Sequence, residues 1–102
     1  MEKEFNSRSL MEKRHGAVQA RRMAQRLSDL RASATLEDMR NLPGRCHALL
    51  YDRAGQFSLD LEHPHRLIFR PIDAAQCTND AGWVEWNKVT AVEIIEIADT
   101  HE

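Results

Sequence analysis

"LPGRCHALLYDRAGQFSLDLEHPHRLIF", residues Leu42 to Phe69, reads as a turn followed by three strands of a small sheet. Pro43-Gly44 closes whatever helical turn precedes it, since proline cannot donate a backbone hydrogen bond and glycine turns freely. "CHALLY" then reads as a strand, "DRAG" as a hairpin loop with Gly55 able to take a positive φ, and "QFSLDLE" as a second strand. The second strand alternates strictly, with Phe57, Leu59 and Leu61 inward and Ser58 and Asp60 outward. His63-Pro64 makes the next turn, because Pro64 cannot donate to a central ladder, and "RLIF" is the third strand.

On the N-terminal side, "MEKEF" reads as a short edge strand with Phe5 inward. From Asn6, or from Ser7 as N-cap, "SRSLMEKRH" is expected to form a helix with Leu10 and Met11 inward, ended by Gly16. "AVQARRMAQRLSDLRAS" follows a helical period, placing Ala20, Met23, Ala24, Leu27 and Leu30 inward and Arg21, Arg22, Arg26 and Arg31 mainly on other faces. The two segments make an antiparallel helical hairpin. Thr35 or Ser33 can cap a short helical turn through "LEDMRN".

On the C-terminal side, "PIDAAQCTNDAGWVEWNK", residues 71 to 88, is rich in turn formers and reads as a long loop, with Trp83 and Trp86 packing it or forming part of a partner surface. "VTAVEIIEIAD" carries apolar residues on both faces, the pattern of a central strand. The chain is thus one α+β domain over residues 1–102: an N-terminal helical hairpin packed on a small antiparallel β-sheet.

Bulk properties narrow the class. A hydrophobic fraction of 42% and a charged fraction of 29% are ordinary for a globular protein, and no run approaches the roughly 18 apolar residues that span a bilayer. "MEKEFNSRSLMEKR" lacks the apolar core of a secretory signal, so a cytoplasmic protein with no membrane partner is expected. Cys46 and Cys77 are too few and too far apart for a disulfide framework and are read as thiols. The net charge of -2 conceals a division: residues 1–50 carry ten Lys and Arg against six Asp and Glu, and residues 51–102 carry four against ten. A basic half joined to an acidic half suits a nucleic-acid face on one side and a basic protein partner on the other.

The hairpin stretch also threads Arg45, His47, Arg53, His63, His65 and Arg66 through what should be a core sheet. His63 and His65, with Cys46 and Cys77, lack the usual ligand spacings of a zinc site, so no metal is assigned. "LPGRCHALLYDRAGQFSLDLEHPHRLIF", followed by a terminal strand ending "IIEIADTHE", resembles the RelE/ParE superfamily of bacterial toxins, and within it the HigB-like plasmid-maintenance killer proteins. The likeness rests on a basic helical hairpin, an L-x-G-D-R-x-G-x-[WF]-S hairpin, an x-x-R-[IL]-x-F strand and a final strand ending in Asp-aromatic-His. It implies a RelE-like, microbial-RNase-type fold and a toxin of a type II toxin-antitoxin system that inhibits translation by cleaving mRNA in the ribosomal A site. It further implies no cofactor and no metal. The implied partners are the ribosome and mRNA, and a cognate helix-turn-helix antitoxin (HigA-like) through which alone operator DNA would be reached.

Carried over residue by residue, the resemblance places catalysis on His47, Arg66, Asp99 and His101, and RNA or ribosome contacts on Arg21, Arg22, Arg26, Arg45 and Arg53. RNA self-cleavage needs a base for the 2′-hydroxyl, an acid for the 5′-oxygen and cations for the phosphorane charge. Histidine as a residue type serves either proton role near neutral pH. His47 and His101 would form the pair, with Asp99 orienting one imidazole and Arg66 holding the phosphorane. Arg66 has a simpler structural role open to it, an ion pair with Asp60 or Glu62 across the hairpin. The chain departs from the family pattern at two places, with Leu50-Tyr51 for Lys-Gly before Asp52-Arg53, and Thr100 for tyrosine between Asp99 and His101. Those departures keep two alternatives open: a ParE-like DNA gyrase inhibitor, and a degenerate toxin that acts only with its antitoxin in operon autoregulation.

Overall fold

The computed structural model describes the backbone of residues 1–5 and the full residues 17–99. Five strands form one sheet: β1 (Glu2–Phe5), β2 (His47–Ala48), β3 (Phe57–Asp60), β4 (His65–Pro71) and β5 (Ala91–Asp99). Their spatial order is β1-β5-β4-β3-β2. The meander from β2 to β5 is antiparallel throughout, and β1 adds in parallel along the outer edge of β5. Helix α1 (Ala17–Ala32) precedes a 3-10 turn over Leu36–Asn41, and a one-turn helix α2 (Ala74–Cys77) follows β4. The expected α+β architecture and the interior place of the last strand are therefore observed. The first expected helix, "SRSLMEKRH", lies outside the described residues.

One face of the sheet carries the core. Phe57, Leu59 and Leu61 interlock with Leu67 and Phe69 of β4 and with Val92, Ile94 and Ile97 of β5, and Leu30, Leu36, Met39 and Val89 close over them. The Phe57 and Phe69 rings stack at 5.8 Å. Burying side chains of this size contributes about 1.5–3 kcal/mol each, which makes this face the main source of stability. β5 keeps Val92, Ile94 and Ile97 on the core side although their spacing breaks simple alternation, because a bulge falls between the pairs Ile68–Glu96 and Phe69–Ile94.

Helix α1 docks differently from its apolar pattern. Its buried residues are Gln19, Arg26 and Leu30, with Met23 and Leu27 half-buried between them, whereas Ala20 and Ala24 are exposed. Arg26, expected among the outward arginines, is only 5% exposed. Its Nε donates to the Asp60 carbonyl at 2.8 Å, and the Gln19 side-chain oxygen accepts from the Glu62 backbone at 2.7 Å. Two polar side chains thus fasten the helix to backbone groups at the end of β3, and each bond offsets the cost of burying its polar partner.

The first hairpin strand is shorter than "CHALLY" suggests. β2 covers only His47–Ala48, with one more backbone bond from Leu49 to Gln56. Arg45 and Tyr51 hold φ values of +48° and +57°, so the chain turns away from the ladder on both sides of the strand. The segment after β4 is also more ordered than a plain loop. Thr78 bridges Val84, the Asn79 side chain accepts from the backbone of Ala81 and Trp83, and Trp86 meets Phe57 edge-on at 5.1 Å beneath the Arg40 guanidinium. No helix among the described residues is long and apolar enough to cross a membrane.

Candidate anion-binding face

The face of the sheet opposite the core is built by the same alternation. Directly paired residues share a face, so His47–Ser58, Ser58–Ile68 and Ile68–Glu96 make one row, and Asp60–Arg66 with Ala98 makes the next. Arg45, His47, Ser58, Asp60 and Arg66 therefore collect near one end of β3. A small polar pocket of about 80 Å³ lies there, lined by Arg45, Asp60, Leu61, His63, His65 and Arg66 among others.

Asp60 is the centre of this cluster. Its Oδ2 meets Arg45 Nε at 2.5 Å and its Oδ1 lies 3.4 Å from Arg66 Nε. The second contact is an ion pair without hydrogen-bond geometry, and Oδ1 makes no hydrogen bond among the described residues. The backbone of Asp60 is fixed as well, its N–H donating to Gly44 and its carbonyl accepting from Arg26. Gly44 is required here: its φ is +113°, and a Cβ would lie 2.8 Å from Arg26 Nε. Beside the pocket, Arg22 lies 3.8 Å from Glu62.

The tautomer of His47 follows from its neighbours. Nδ1 lies 3.0 Å from the Arg45 carbonyl, which can only accept, so Nδ1 carries the proton. In the neutral ring Nε2 is then the basic nitrogen; the buried Ser58 hydroxyl lies against the ring, 3.3 Å from Nε2 and 3.5 Å from Nδ1. This gives a base held by two contacts to a rigid sheet, beside two guanidiniums that share one carboxylate.

The remaining candidates are scattered. Arg53 starts from the loop end of the hairpin, donates to Gln56 at 3.0 Å and pairs at 3.3 Å with Glu96, at the far end of the row that holds His47 and Ser58, so it shares their face without joining the Asp60 cluster. Arg21 is on the exposed side of α1, and Arg26 is turned into the molecule and unavailable to an external ligand. Asp99 does not orient His47, because three strand spacings separate β5 from β2, roughly 14 Å. Its register partner is His65, and both stand on the core side of the sheet end. His101 lies outside the described residues. Ser58 and Asp60 were not among the site residues expected from sequence. The Ser58 signal was present in the Phe-Ser end of the hairpin motif, and the Arg66–Asp60 ion pair is one of the two simple roles foreseen for Arg66.

The thiols are not part of the cluster. Burial pushes the Cys46 thiol up to about 12, with Arg40 opposing the shift, and the buried Cys77 thiol is also raised, first by burial and then by Asp73. Both are free cysteines. Among the described residues no three His, Cys, Asp or Glu side chains converge to hold a metal ion. Comparison with models of protein families and with curated proteins finds no match to the chain.

Proposed function

We propose that the chain is a HigB-like toxin of the RelE/ParE superfamily that cleaves mRNA on the ribosome and is neutralised by a helix-turn-helix antitoxin. The observation that carries this reading is the placement of His47, Arg45 and Arg66 on one rigid sheet face, with the basic nitrogen of His47 defined by its partners. Backbone geometry supports the resemblance independently. Tyr51 stands where the family pattern has glycine, and its φ of +57° is the conformation glycine serves.

In the reaction, His47 Nε2 takes the proton of a 2′-hydroxyl as that oxygen attacks the adjacent phosphorus. Arg45 and Arg66, loosened from Asp60 by the incoming phosphate, balance the charge on the phosphorane. The bond to the 5′-oxygen breaks, leaving a 2′,3′-cyclic phosphate, and that oxygen takes a proton from an acid that the resemblance assigns to His101. Asp60 is then a counter-ion that keeps the cationic pair positioned when RNA is absent. Arg22 extends the positive edge along the helix.

The test is primer extension on mRNA incubated with programmed ribosomes and purified protein, comparing wild type with His47→Ala, Arg66→Ala and His101→Ala. New ends within A-site codons that vanish in the variants are expected; intact message with wild type overturns the reading. A second reading, ParE-like inhibition of DNA gyrase without chemistry, is favoured by Leu50 in place of the family's lysine and by the neutralisation of Arg45 and Arg66 within the chain. Loss of supercoiling by purified gyrase, with message left intact, would select it.

A further inference from the structure

The exposed large hydrophobic residues among the described part of the chain are Val18, Leu50, Tyr51 and Trp83, and three of the four line one cleft. The cleft encloses about 470 Å³ between the hairpin loop and the segment that follows β4, with Phe57 and Trp86 at its floor. Leu50 is 49% exposed, Tyr51 83% and Trp83 65%. Scattered exposed apolar residues need no explanation, but a concave cluster containing Trp and Tyr is the composition of a protein-binding hot spot.

The cleft is shaped on purpose. Tyr51 is held at a positive φ that a bulky residue rarely adopts, and this presents its ring at the rim. Trp83 is held out by the Asn79 side chain, which accepts from its backbone N–H at 3.0 Å. Trp86 is clamped between Phe57 and Arg40, so the floor is rigid. The cleft also lies at the Phe57 end of β3, away from the Asp60 end that holds the arginine cluster; three residue steps along the strand separate the two, roughly 10 Å.

Charge decides the occupant. Along the chain Asp52 adjoins Tyr51 and Asp80 lies between Thr78 and Gly82, so two stretches of the lining carry an acidic neighbour, while Asp73, next to Ala74, lines a separate pocket with Arg70 and Glu93. All three are exposed and none forms an ion pair with a described residue, whereas the nearby cations Arg40, Arg53 and Lys88 are each paired with a glutamate. An apolar groove with an unneutralised acidic rim complements an apolar anchor flanked by basic side chains. We infer that this cleft docks a peptide segment of a partner protein, one that inserts an aliphatic or aromatic side chain between Tyr51 and Trp83 and sets Lys or Arg against Asp52 and Asp80. The acidic half of the chain is thereby a protein-binding half, and the inference stands whether or not the arginine face cleaves RNA.

The test is selection of a displayed random-peptide library on the immobilised full-length chain, followed by fluorescence titration of the synthesised consensus peptide. The expected consensus carries one large apolar residue flanked by Lys or Arg. Trp83→Ala is expected to weaken its binding about tenfold or more, Asp52→Asn with Asp80→Asn to weaken it and flatten its salt dependence, and Arg66→Ala to leave it unchanged. Tyr51→Gly, which the backbone accommodates, serves as a second variant lacking the ring, with circular dichroism confirming that each variant folds. An acidic or charge-free consensus, binding that survives Trp83→Ala, or sedimentation showing that the cleft is filled by a second copy of the chain would each overturn the inference. None of these readings depends on RNA cleavage, so failure here and failure of the nuclease reading are separate results.

Discussion

Arg26 offers the sharpest test of how the helix is attached. A surface arginine that waits for RNA contributes almost nothing to stability, and its replacement by alanine stays within about 0.5 kcal/mol. The structure assigns Arg26 the opposite role: it is buried, its stem lies against Gly44 and its Nε donates to the Asp60 carbonyl. Arg26→Ala removes two packed methylenes, about 1.6 kcal/mol at about 0.8 each. It also removes a hydrogen bond from a charged donor, worth about 1.5–3 kcal/mol. Relief of the guanidinium's desolvation returns part of this, leaving a net loss of about 2–3 kcal/mol. For a domain of this size that lowers the thermal midpoint by roughly 10–20 °C. Arg26→Met keeps most of the stem and should lose only about 1 kcal/mol, so the two variants separate packing from hydrogen bonding. Urea and thermal unfolding of wild type, Arg21→Ala, Arg26→Met and Arg26→Ala should give falling stability in that order. If Arg26→Ala unfolds with Arg21→Ala, the attachment of α1 through Arg26 is wrong.

Asp60→Asn removes the negative charge shared by Arg45 and Arg66; single-stranded RNA should bind more tightly, with the logarithmic salt slope steeper by about one, and an unchanged slope would show that these arginines do not meet the phosphates. Cys46 predicts an alkaline loss of stability: an ordinary thiol ionises near 9.0 and the buried one near 12, so the folded state holds its proton more tightly and stability falls as pH rises through that window. Urea midpoints across it should decline more for wild type than for Cys46→Ala, and equal declines would refute the assignment.

Much of the fold was legible because it rests on local regularities. The alternation of Phe57, Leu59 and Leu61, the turn at Pro43-Gly44 and the apolar run of β5 each specify an element within a few residues. The attachment of α1 was not legible, since Gln19 and Arg26 are buried against backbone groups more than thirty residues away and hydrophobic periodicity selects Ala20 and Ala24 instead. The shortness of β2 was hidden for a related reason: Arg45 and Tyr51 take a glycine-like conformation without being glycine. For the candidate site, the sequence supplied Arg45, His47 and Arg66 but not their grouping, which depends on strand order. The partner of Asp99 was not legible either: it lies three strands from His47, and the histidine two residues after it is outside the described residues.

The bulge in β5 has a consequence for parity. In a strand the face of a residue depends on whether its distance from a reference is odd or even, and the extra residue at Ile95 changes that count once. Without the irregularity, uninterrupted alternation from Ile94 would carry Glu96 into the core and Ile97 out of it. With it, Glu96 reaches Arg53, Ile97 meets Leu67, and Asp99 stands on the same side as the core. A shortened strand lacking Ile95 would preserve every one of these assignments, so the protein has a spare position in its central strand, and the facing of Asp99 is set four residues before it.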